Sequence, residues 1–282
     1  MTTLTDGDLS LEPTTGSDEF VGFSVVVDGA RVGTLAFRRE DRQVLSVRWN
    51  VGEHGLRLAV RVLKLAVPHA FGELGAERLE ARIPVDRTDD VRAASISGLR
   101  REGIVRGGAA GPDRVLMARL PDDPPSDSRD GFIAILNAGL PTKRVIGQGL
   151  IRDEQGRVLL CELTYKKEWD LPGGVIEVGE SPALGLQREL AEELSIDVEI
   201  GPLLTVDWLP PWRGWDDACI FLFDLGTFES SAVDGWTLQP TEIVAVHWCD
   251  PDLVRERGTA VAIDLLEGVL SGDGRHYRES GS

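Results

Sequence analysis

The hydrophobic pattern of the first 120 residues predicts a mixed α/β unit. Apolar residues at helical spacing (Leu58, Val62, Leu65 and Ala66) indicate a helix over 55–71. The turn sequence Asp28-Gly29-Ala30 separates two strand-like runs and predicts a hairpin. The strands that this pattern predicts are 20–28, 31–38, 43–49, 78–84, 103–106 and 114–120, with a second short helix over 89–97.

The second half of the chain again alternates strand-like and helix-like runs. Runs 144–152 and 157–162 bracket Asp153-Glu154-Gln155-Gly156, which predicts a hairpin. Ser181 and Pro182 suit an N-cap and a first helical position, so a helix is predicted over 182–194. Further strands are predicted over 198–208, 218–225 and 242–248, followed by a C-terminal helix over 253–270. This order predicts an α/β/α sandwich around a mixed sheet.

A segment rich in Pro, Asp and Ser separates the two halves. Residues 121–131 contain no apolar side chain, which indicates a linker. The length of 282 residues suits two ordinary domains or one large one. We therefore expect an N-terminal domain over 1–120, a linker over 121–140 and a C-terminal domain over 141–282.

The charge is unevenly distributed and narrows the class of partner. Residues 1–120 carry 17 basic and 17 acidic side chains, whereas 121–282 carry 13 and 30, which is the whole net charge of −17. Duplex nucleic acid and an anionic membrane are poor partners for such a surface. Because no apolar run approaches the ~18 residues of a membrane span, we expect a cytoplasmic protein with free thiols at its three cysteines. A small-molecule ligand is expected, and a homodimer stays open.

Acidic residues share one face of the helix predicted over 182–194. Glu189, Glu192 and Glu193 are three and four residues apart and span about 100° of the helix circumference. Carboxylates that crowd one face repel one another, and a hard divalent cation such as Mg²⁺ or Mn²⁺ relieves that repulsion. A solvated acidic face is the simpler explanation for two adjacent glutamates alone, so the surrounding spacing decides between the two.

The spacing around this helix resembles the Nudix box. The pattern is Gly-x5-Glu-x7-Arg-Glu-Leu-x-Glu-Glu-x-Ser-Ile, with Ser195 where the family has Gly, and Trp169-Asp170-Leu171-Pro172-Gly173-Gly174 matches the segment that leads into the box. The resemblance implies that Glu189, Glu192 and Glu193 bind metal, that the Gly173 carbonyl is a further ligand, and that Glu180 and Arg188 brace the loop. It implies a hydrolase in which water activated by Mg²⁺ or Mn²⁺ attacks a nucleoside diphosphate linked to another group, with these glutamates as the catalytic carboxylates.

Two features outside the box belong to the same hypothesis. Family members add a carboxylate from a later loop or strand, and the candidates here are Asp216, Asp217 and Glu242. Three tryptophans follow a strand predicted to end near the site, and they are candidates for stacking a nucleobase or for ordinary packing. These tryptophans are Trp208, Trp212 and Trp215.

The first half resembles the GNAT acetyltransferase fold. The resemblance is carried by 68–75, 78–86 and 98–103. Active members hold the CoA pyrophosphate in a Gln/Arg-x-x-Gly-x-Gly/Ala turn, which falls here on 54–59 with His54 and Arg57 at the first and fourth positions. We therefore expect a degenerate GNAT-like domain. Two alternatives stay open: a CoA-dependent acetyltransferase, and a nucleotide-sensing protein that binds without turnover.

Overall fold

The computed structural model describes residues 2–272 and 275–280. The chain divides into two compact units, Met1–Pro141 and Thr142–Ser282. Each unit has its own sheet and its own apolar core. The mixed α/β class predicted from the hydrophobic pattern is confirmed.

Unit 1 is built on an eight-stranded sheet. Its strands are β1 (Leu4–Asp6), β2 (Leu9–Gly16), β3 (Phe20–Val27), β4 (Ala30–Arg39), β5 (Val44–Asn50), β6 (Arg78–Pro84), β7 (Arg100–Val105) and β8 (Arg114–Arg119), in the order β1-β2-β3-β4-β5-β6-β8-β7. Its helices are α1 (Gly55–Gly72), α2 (Thr88–Ile96) and α3 (Arg129–Gly139). Neighbouring strands are antiparallel except β5 and β6, which are parallel.

The parallel pair creates the cleft of unit 1. β5 and β6 are paired over three residues only, from Val44↔Arg78 to Ser46↔Glu80, and then separate. A cavity of about 280 Å³ lies beyond this point, at the N-terminal turn of α1. The buried side of α1, including Val62, Leu63 and Ala66, packs against the sheet in the core. The carboxyl ends of two parallel strands and a helix N-terminus thus meet at one cavity, which is a common position for a ligand.

Two parts of unit 1 differ from the sequence-based expectation. Strands β1 and β2 precede the first predicted strand, and the alternation of buried Leu9 and Leu11 with polar neighbours is the signal that marks β2. The segment predicted as a linker, 121–140, contains helix α3, which lies beside β7 within unit 1. The Ser128 hydroxyl caps α3 by accepting a hydrogen bond from the Gly131 nitrogen at 3.0 Å.

Unit 2 is built on a seven-stranded mixed sheet. Its strands are β9 (Arg144–Asp153), β10 (Val158–Leu163), β11 (Gly173–Val175), β12 (Leu203–Leu209), β13 (Ala218–Phe228), β14 (Ile243–Cys249) and β15 (Tyr277–Glu279), and its helices are α4 (Pro182–Leu194), α5 (Pro251–Arg257) and α6 (Ala260–Leu270). The order is β14-β10-β9-β13-β12-β15, with β11 paired to β9. The pairs β9–β13 and β12–β15 are parallel.

Helices cover both faces of this sheet. One apolar cluster joins Leu186 and Leu190 of α4 to Ile151 of β9, and the other joins Leu266 of α6 to Leu150 of β9. Because successive strand residues point to opposite faces, Leu150 and Ile151 enter different clusters. The predicted α/β/α sandwich around a mixed sheet is therefore confirmed.

Three elements of unit 2 differ in extent from the prediction. The helix predicted over 253–270 is two helices, because Gly258 is extended and Thr259 caps α6 through the Ala262 nitrogen at 3.1 Å. The strand predicted from residue 198 begins at Leu203. The short strands β11 and β15 were not predicted. None of the helices in the described part of the chain combines the length and the hydropathy that a membrane span needs.

Candidate active site

The acidic helix α4 has a well-defined start and end. The Ser181 hydroxyl accepts a hydrogen bond from the Leu184 nitrogen at 3.3 Å, and Pro182 is the first helical residue. At the other end Ser195 is left-handed, with φ 55° and ψ 38°. The Nudix-box pattern has Gly at this position, and a serine in the left-handed conformation costs about 1 kcal/mol. The helix nevertheless ends where the box pattern predicts.

Two glycines bring the loop before α4 close to its glutamates. Gly173 has φ +125°, and a Cβ there would lie 2.1 Å from the Gly147 carbonyl oxygen of β9. A Cβ on Gly174 would lie 2.7 Å from the carboxyl carbon of Glu189. Strand β11 therefore packs between β9 and the acidic face of α4, and Gly173, which would meet backbone, has no room for a side chain.

The three box glutamates differ in burial. Glu193 is 5% exposed, and its Oε2 accepts a hydrogen bond from the Gly173 nitrogen at 3.2 Å. Burial raises the pKa of Glu193 to about 7, and it also raises the pKa of Glu189. Glu192, which precedes Glu193 and lies about one turn from Glu189, is exposed. The face therefore runs from a buried carboxylate at Glu193 to a solvated one at Glu192.

Arg188 ties this face to the loop. Its Nε and Nη2 donate to the two oxygens of Glu180 at 2.9 and 3.1 Å, and Nη2 also donates to the Val175 carbonyl at 3.2 Å. Its Nη1 donates to Glu189 at 3.0 Å and to Glu192 at 3.1 Å. Hydrogen bonding to Arg188 lowers the pKa of Glu180. The structure thus joins Glu180 and Arg188, the pair predicted to brace the loop.

The residues of this face suit a hard divalent cation. Glu189 and Glu193 are carboxylates whose pKa values are raised mainly by burial and further by neighbouring negative charges, so a cation close to them relieves both effects. Carboxylate and carbonyl oxygens are the ligands that Mg²⁺ and Mn²⁺ prefer. Among the described residues, no group of three or more His, Cys, Asp or Glu side chains is already gathered around a common metal position. Arg188 Nη1 instead bridges Glu189 and Glu192.

The candidate carboxylates outside the box lie in different surroundings. Glu242 lies near the end of α4, because the Gln239 nitrogen donates to the Glu193 carbonyl at 2.9 Å and the Glu242 nitrogen donates to the Gln239 carbonyl at 3.1 Å. Its negative charge contributes to the raised pKa of both Glu189 and Glu193. Asp217 forms an ion pair with Lys143 and accepts a hydrogen bond from the Trp208 indole at 3.1 Å. Asp216 is exposed, and its backbone carbonyl accepts from Arg144 at 3.2 Å.

The three candidate tryptophans also differ. Trp208 is half-buried and is held by Asp217. Trp212 and Trp215 are 62% and 64% exposed. Their backbones pair across a tight turn between β12 and β13. Free ring area is therefore available at these two tryptophans.

Sequence reasoning missed a polar group beside Glu193. Asp170 accepts hydrogen bonds from the Gln148 side chain at 3.2 Å and from Lys166 at 2.5 Å. Its charge contributes to the raised pKa of Glu193. Gln148 is 6% exposed, and its Oε1 has no hydrogen-bond partner within the described ranges. Asp170 belongs to the segment that leads into the box, whereas a single Gln in an apolar strand carries no sequence signal.

The cleft of unit 1 differs from the pyrophosphate-binding turn that a GNAT-like fold implies. Asp86, Asp89 and Asp90 line the cavity at the start of α1, where a pyrophosphate would need donors, and Arg87 in the same lining is paired with Asp90 at 2.5 Å. Arg57 projects an exposed side chain from the first turn of α1, at the position where active members have Gly. Backbone nitrogens cannot approach a phosphate closely past such a side chain.

Comparisons with known proteins find relatives of this chain. The family model described as "NUDIX domain" matches residues 143–267. A "MutT-like protein" of Streptomyces ambofaciens is 34% identical over 139 residues, which are 49% of this chain and 84% of that protein. The crystal structure of the MutT protein from Methanosarcina mazei Go1 is 22% identical, with a TM-score of 0.41, and the match covers 48% of this chain and 99% of that one.

Structures similar to the N-terminal half are GNAT acetyltransferases. The acetyltransferase of the GNAT family from Bacillus anthracis is 19% identical with a TM-score of 0.32, and the match covers 35% of this chain and 65% of that one.

The family match and the MutT-like relative define the class of this protein. It is a hydrolase that acts on phosphorus-containing acid anhydrides. The chain belongs to the Nudix family.

Proposed function

We propose that the protein hydrolyses a diphosphate bond in a nucleoside diphosphate linked to another group, and that the reaction requires Mg²⁺ or Mn²⁺. The observation that carries the proposal is the packing of β11 against α4. The Gly173 nitrogen binds the buried Glu193, and Gly174 leaves room for Glu189 beside the loop. The loop before α4 and the carboxylates of Glu189 and Glu193 are thereby held next to each other.

In this proposal Glu189, Glu192, Glu193 and the Gly173 carbonyl hold the cation. The bound ion supplies charge neutralisation and lowers the pKa of water. The oxygen of a water molecule forms a bond to one phosphorus, the bridging P–O bond breaks, and the leaving phosphate takes the electron pair. A carboxylate of the acidic face accepts the proton of the attacking water. Glu242, which lies near this face, is the proposed additional carboxylate.

Arg188 and Glu180 have a structural role in this proposal. Arg188 is held by Glu180 and by the Val175 carbonyl at the loop. When a cation binds Glu189 and Glu192, the hydrogen bonds of Arg188 to Glu180 and to the Val175 carbonyl keep the guanidinium in place. The loop and α4 therefore keep their relative position while the cation binds.

The names of relatives support a nucleotide substrate. Among them is the "8-oxo-dGTP diphosphatase" of Proteus vulgaris, 39% identical over 57 residues, which are 51% of that protein. In our proposal the substrate is likewise a small nucleotide.

The test is turnover of a panel of nucleotides by the full chain. Nucleoside triphosphates, dinucleotides and nucleotide sugars are incubated with Mg²⁺, Mn²⁺ or EDTA, and products are identified by ³¹P NMR. We expect cation-dependent release of a mononucleotide from at least one substrate. Tight nucleotide binding without turnover would instead favour a sensing protein. Glu199→Gln is the matched control, because Glu199 is exposed and lies beyond α4.

A further inference from the structure

The turn between β12 and β13 contains two exposed tryptophans whose backbones are hydrogen-bonded to each other. The backbone nitrogens of Trp212 and Trp215 donate to each other's carbonyl oxygens at 3.1 and 2.9 Å. Between them Arg213 and Gly214 have φ of 47° and 89°, as in a two-residue hairpin turn. A left-handed Arg costs about 1 kcal/mol, so the rest of the turn holds this conformation in place. Large aromatic side chains are seldom left this exposed without a partner.

Each indole already carries a cation on one face. The Arg144 guanidinium carbon lies 4.7 Å from the Trp215 ring centre, and that of Arg213 lies 4.4 Å from the Trp212 ring centre. Lys143, the residue before Arg144, pairs with Asp217 at the base of the turn. Positive charge is scarce in this half of the chain, with 13 basic against 30 acidic side chains over 121–282. The turn therefore combines free aromatic surface with a local concentration of cations.

Strand β9 connects this turn to the acidic face. Arg144 begins β9 and lies in register with Ala218 of β13, directly after the turn. Two residues further along β9, Ile146 pairs with Val175 of β11, whose carbonyl binds Arg188. The aromatic turn and the loop that binds Arg188 thus both adjoin the first three residues of β9.

We propose that Trp212 and Trp215 determine substrate specificity by stacking the nucleobase of a nucleotide whose diphosphate lies at the acidic face. The inference rests on the proposed function and adds the side chains that bind the base of the nucleotide. An aromatic base offers a π-face to the face of each indole that the guanidinium leaves free. In this proposal Arg144 is a positioning residue, because it packs on Trp215 from the opposite side.

The test is binding of a nucleoside monophosphate to the full chain, measured by calorimetry in EDTA. AMP and GMP contain no phosphoanhydride bond, so binding is measured without turnover. Ribose 5-phosphate is the probe that lacks a base. We expect Trp212→Ala and Trp215→Ala each to raise the Kd for the nucleotide 10- to 100-fold, since stacking on an aromatic side chain contributes about this factor. Trp212→Phe and Trp215→Phe should stay within about threefold of wild type. Trp236→Phe, a tryptophan packed against Phe228, is the matched control.

Positioning by Arg144 has its own readout. Arg144→Gln should raise the Kd for AMP several-fold and leave that for ribose 5-phosphate within twofold, and Arg144→Lys should recover most of the nucleotide affinity.

Several results would overturn the inference: no binding of AMP or GMP up to 10 mM, equal Kd values for nucleotide and ribose 5-phosphate, or unchanged Kd in both alanine variants. A dimer in sedimentation that dissociates in Trp212→Ala would assign the turn to a contact between two copies and would also overturn it. Turnover that depends on Glu193 while these results are found would leave the proposed function standing. Tryptophan-dependent AMP binding in a chain that hydrolyses no anhydride would contradict the proposed function alone.

Discussion

The Glu193 carboxylate accepts a hydrogen bond from the backbone nitrogen of Gly173 at 3.2 Å, across twenty residues of sequence. This contact fixes the loop before α4 to the most buried glutamate of the helix. Because Glu193 is 5% exposed, the side chain has little freedom to leave the site. The backbone nitrogen of Gly173 and the carboxylate of Glu193 therefore stay close together, and the predictions on this site start from that pair.

Neutralising Glu192 or Glu193 should remove turnover and keep the fold. Glu192→Gln and Glu193→Gln leave the apolar side of α4, with Leu186 and Leu190, unchanged. A neutral amide is a poor ligand for Mg²⁺, so kcat should fall by at least about 100-fold in each variant. Circular dichroism and steady-state kinetics check the two statements. Activity near that of wild type in both variants would remove the assignment of these carboxylates.

A methyl group on Gly174 should displace Glu189. The added Cβ would lie 2.7 Å from the Glu189 carboxyl carbon, so either the loop or the side chain must move. Because a displacement of about 1 Å in a catalytic group costs about 100-fold, we expect Gly174→Ala to lower kcat by 10- to 100-fold. Gly235→Ala is the control, since nothing lies within 4 Å of a Cβ there. Equal kinetics in the two variants would show that the close approach of loop and helix has no function.

The box helix could be predicted from sequence almost residue by residue. The bounds of α4, Pro182–Leu194, agree with the prediction because Ser181, Pro182 and the apolar spacing are local signals. The packing of Gly174 against Glu189 is a contact between distant residues, and no local pattern contains it. Helix α3 was missed because its neighbouring segment is polar and its own apolar residues, such as Phe132, are exposed rather than set in a buried stripe.

Divalent cations should stabilise unit 2 by binding only the folded acidic face. With a Kd of about 1 mM, 10 mM Mg²⁺ would add about 1.4 kcal/mol. For a unit of this size, that free energy corresponds to a rise in Tm of about 5 °C. Differential scanning calorimetry of the full chain, with and without EDTA, measures the shift. The same shift in Glu193→Gln as in wild type would place the bound ion elsewhere.

Acetyl-CoA should not bind to unit 1. Asp86, Asp89 and Asp90 line the cavity, and Arg57 occupies the position of the required glycine. Both features oppose an anionic pyrophosphate held by backbone nitrogens. Calorimetric titration of the full chain with acetyl-CoA should show no heat of binding up to 1 mM. Micromolar affinity that is lost in Arg57→Glu would show that the guanidinium has replaced the glycine, and the acetyltransferase alternative would then regain support.

The last prediction concerns His69, which is buried in the core of unit 1. Its ring packs against Phe23 and Phe37, with centroids 5.5 and 6.1 Å away, and both ring nitrogens lack a hydrogen-bond partner in the described chain. Burial lowers the pKa of His69, although Glu73, 3.6 Å from Nδ1, acts in the opposite direction. The folded state therefore favours the neutral ring, whereas the unfolded chain takes up a proton near pH 6.5.

The stabilising contribution of neutral His69 should thus be lost as pH falls below about 6.5, by at most about 1.4 kcal/mol per pH unit. His69→Phe removes this proton uptake and keeps the aromatic packing. We expect the Tm of the variant, relative to that of wild type, to rise steadily between pH 7.5 and pH 5. His54→Gln is the control, because His54 is exposed. A difference in Tm that is constant over this range would contradict the prediction, since it would mean that His69 takes up its proton equally in the folded and unfolded states.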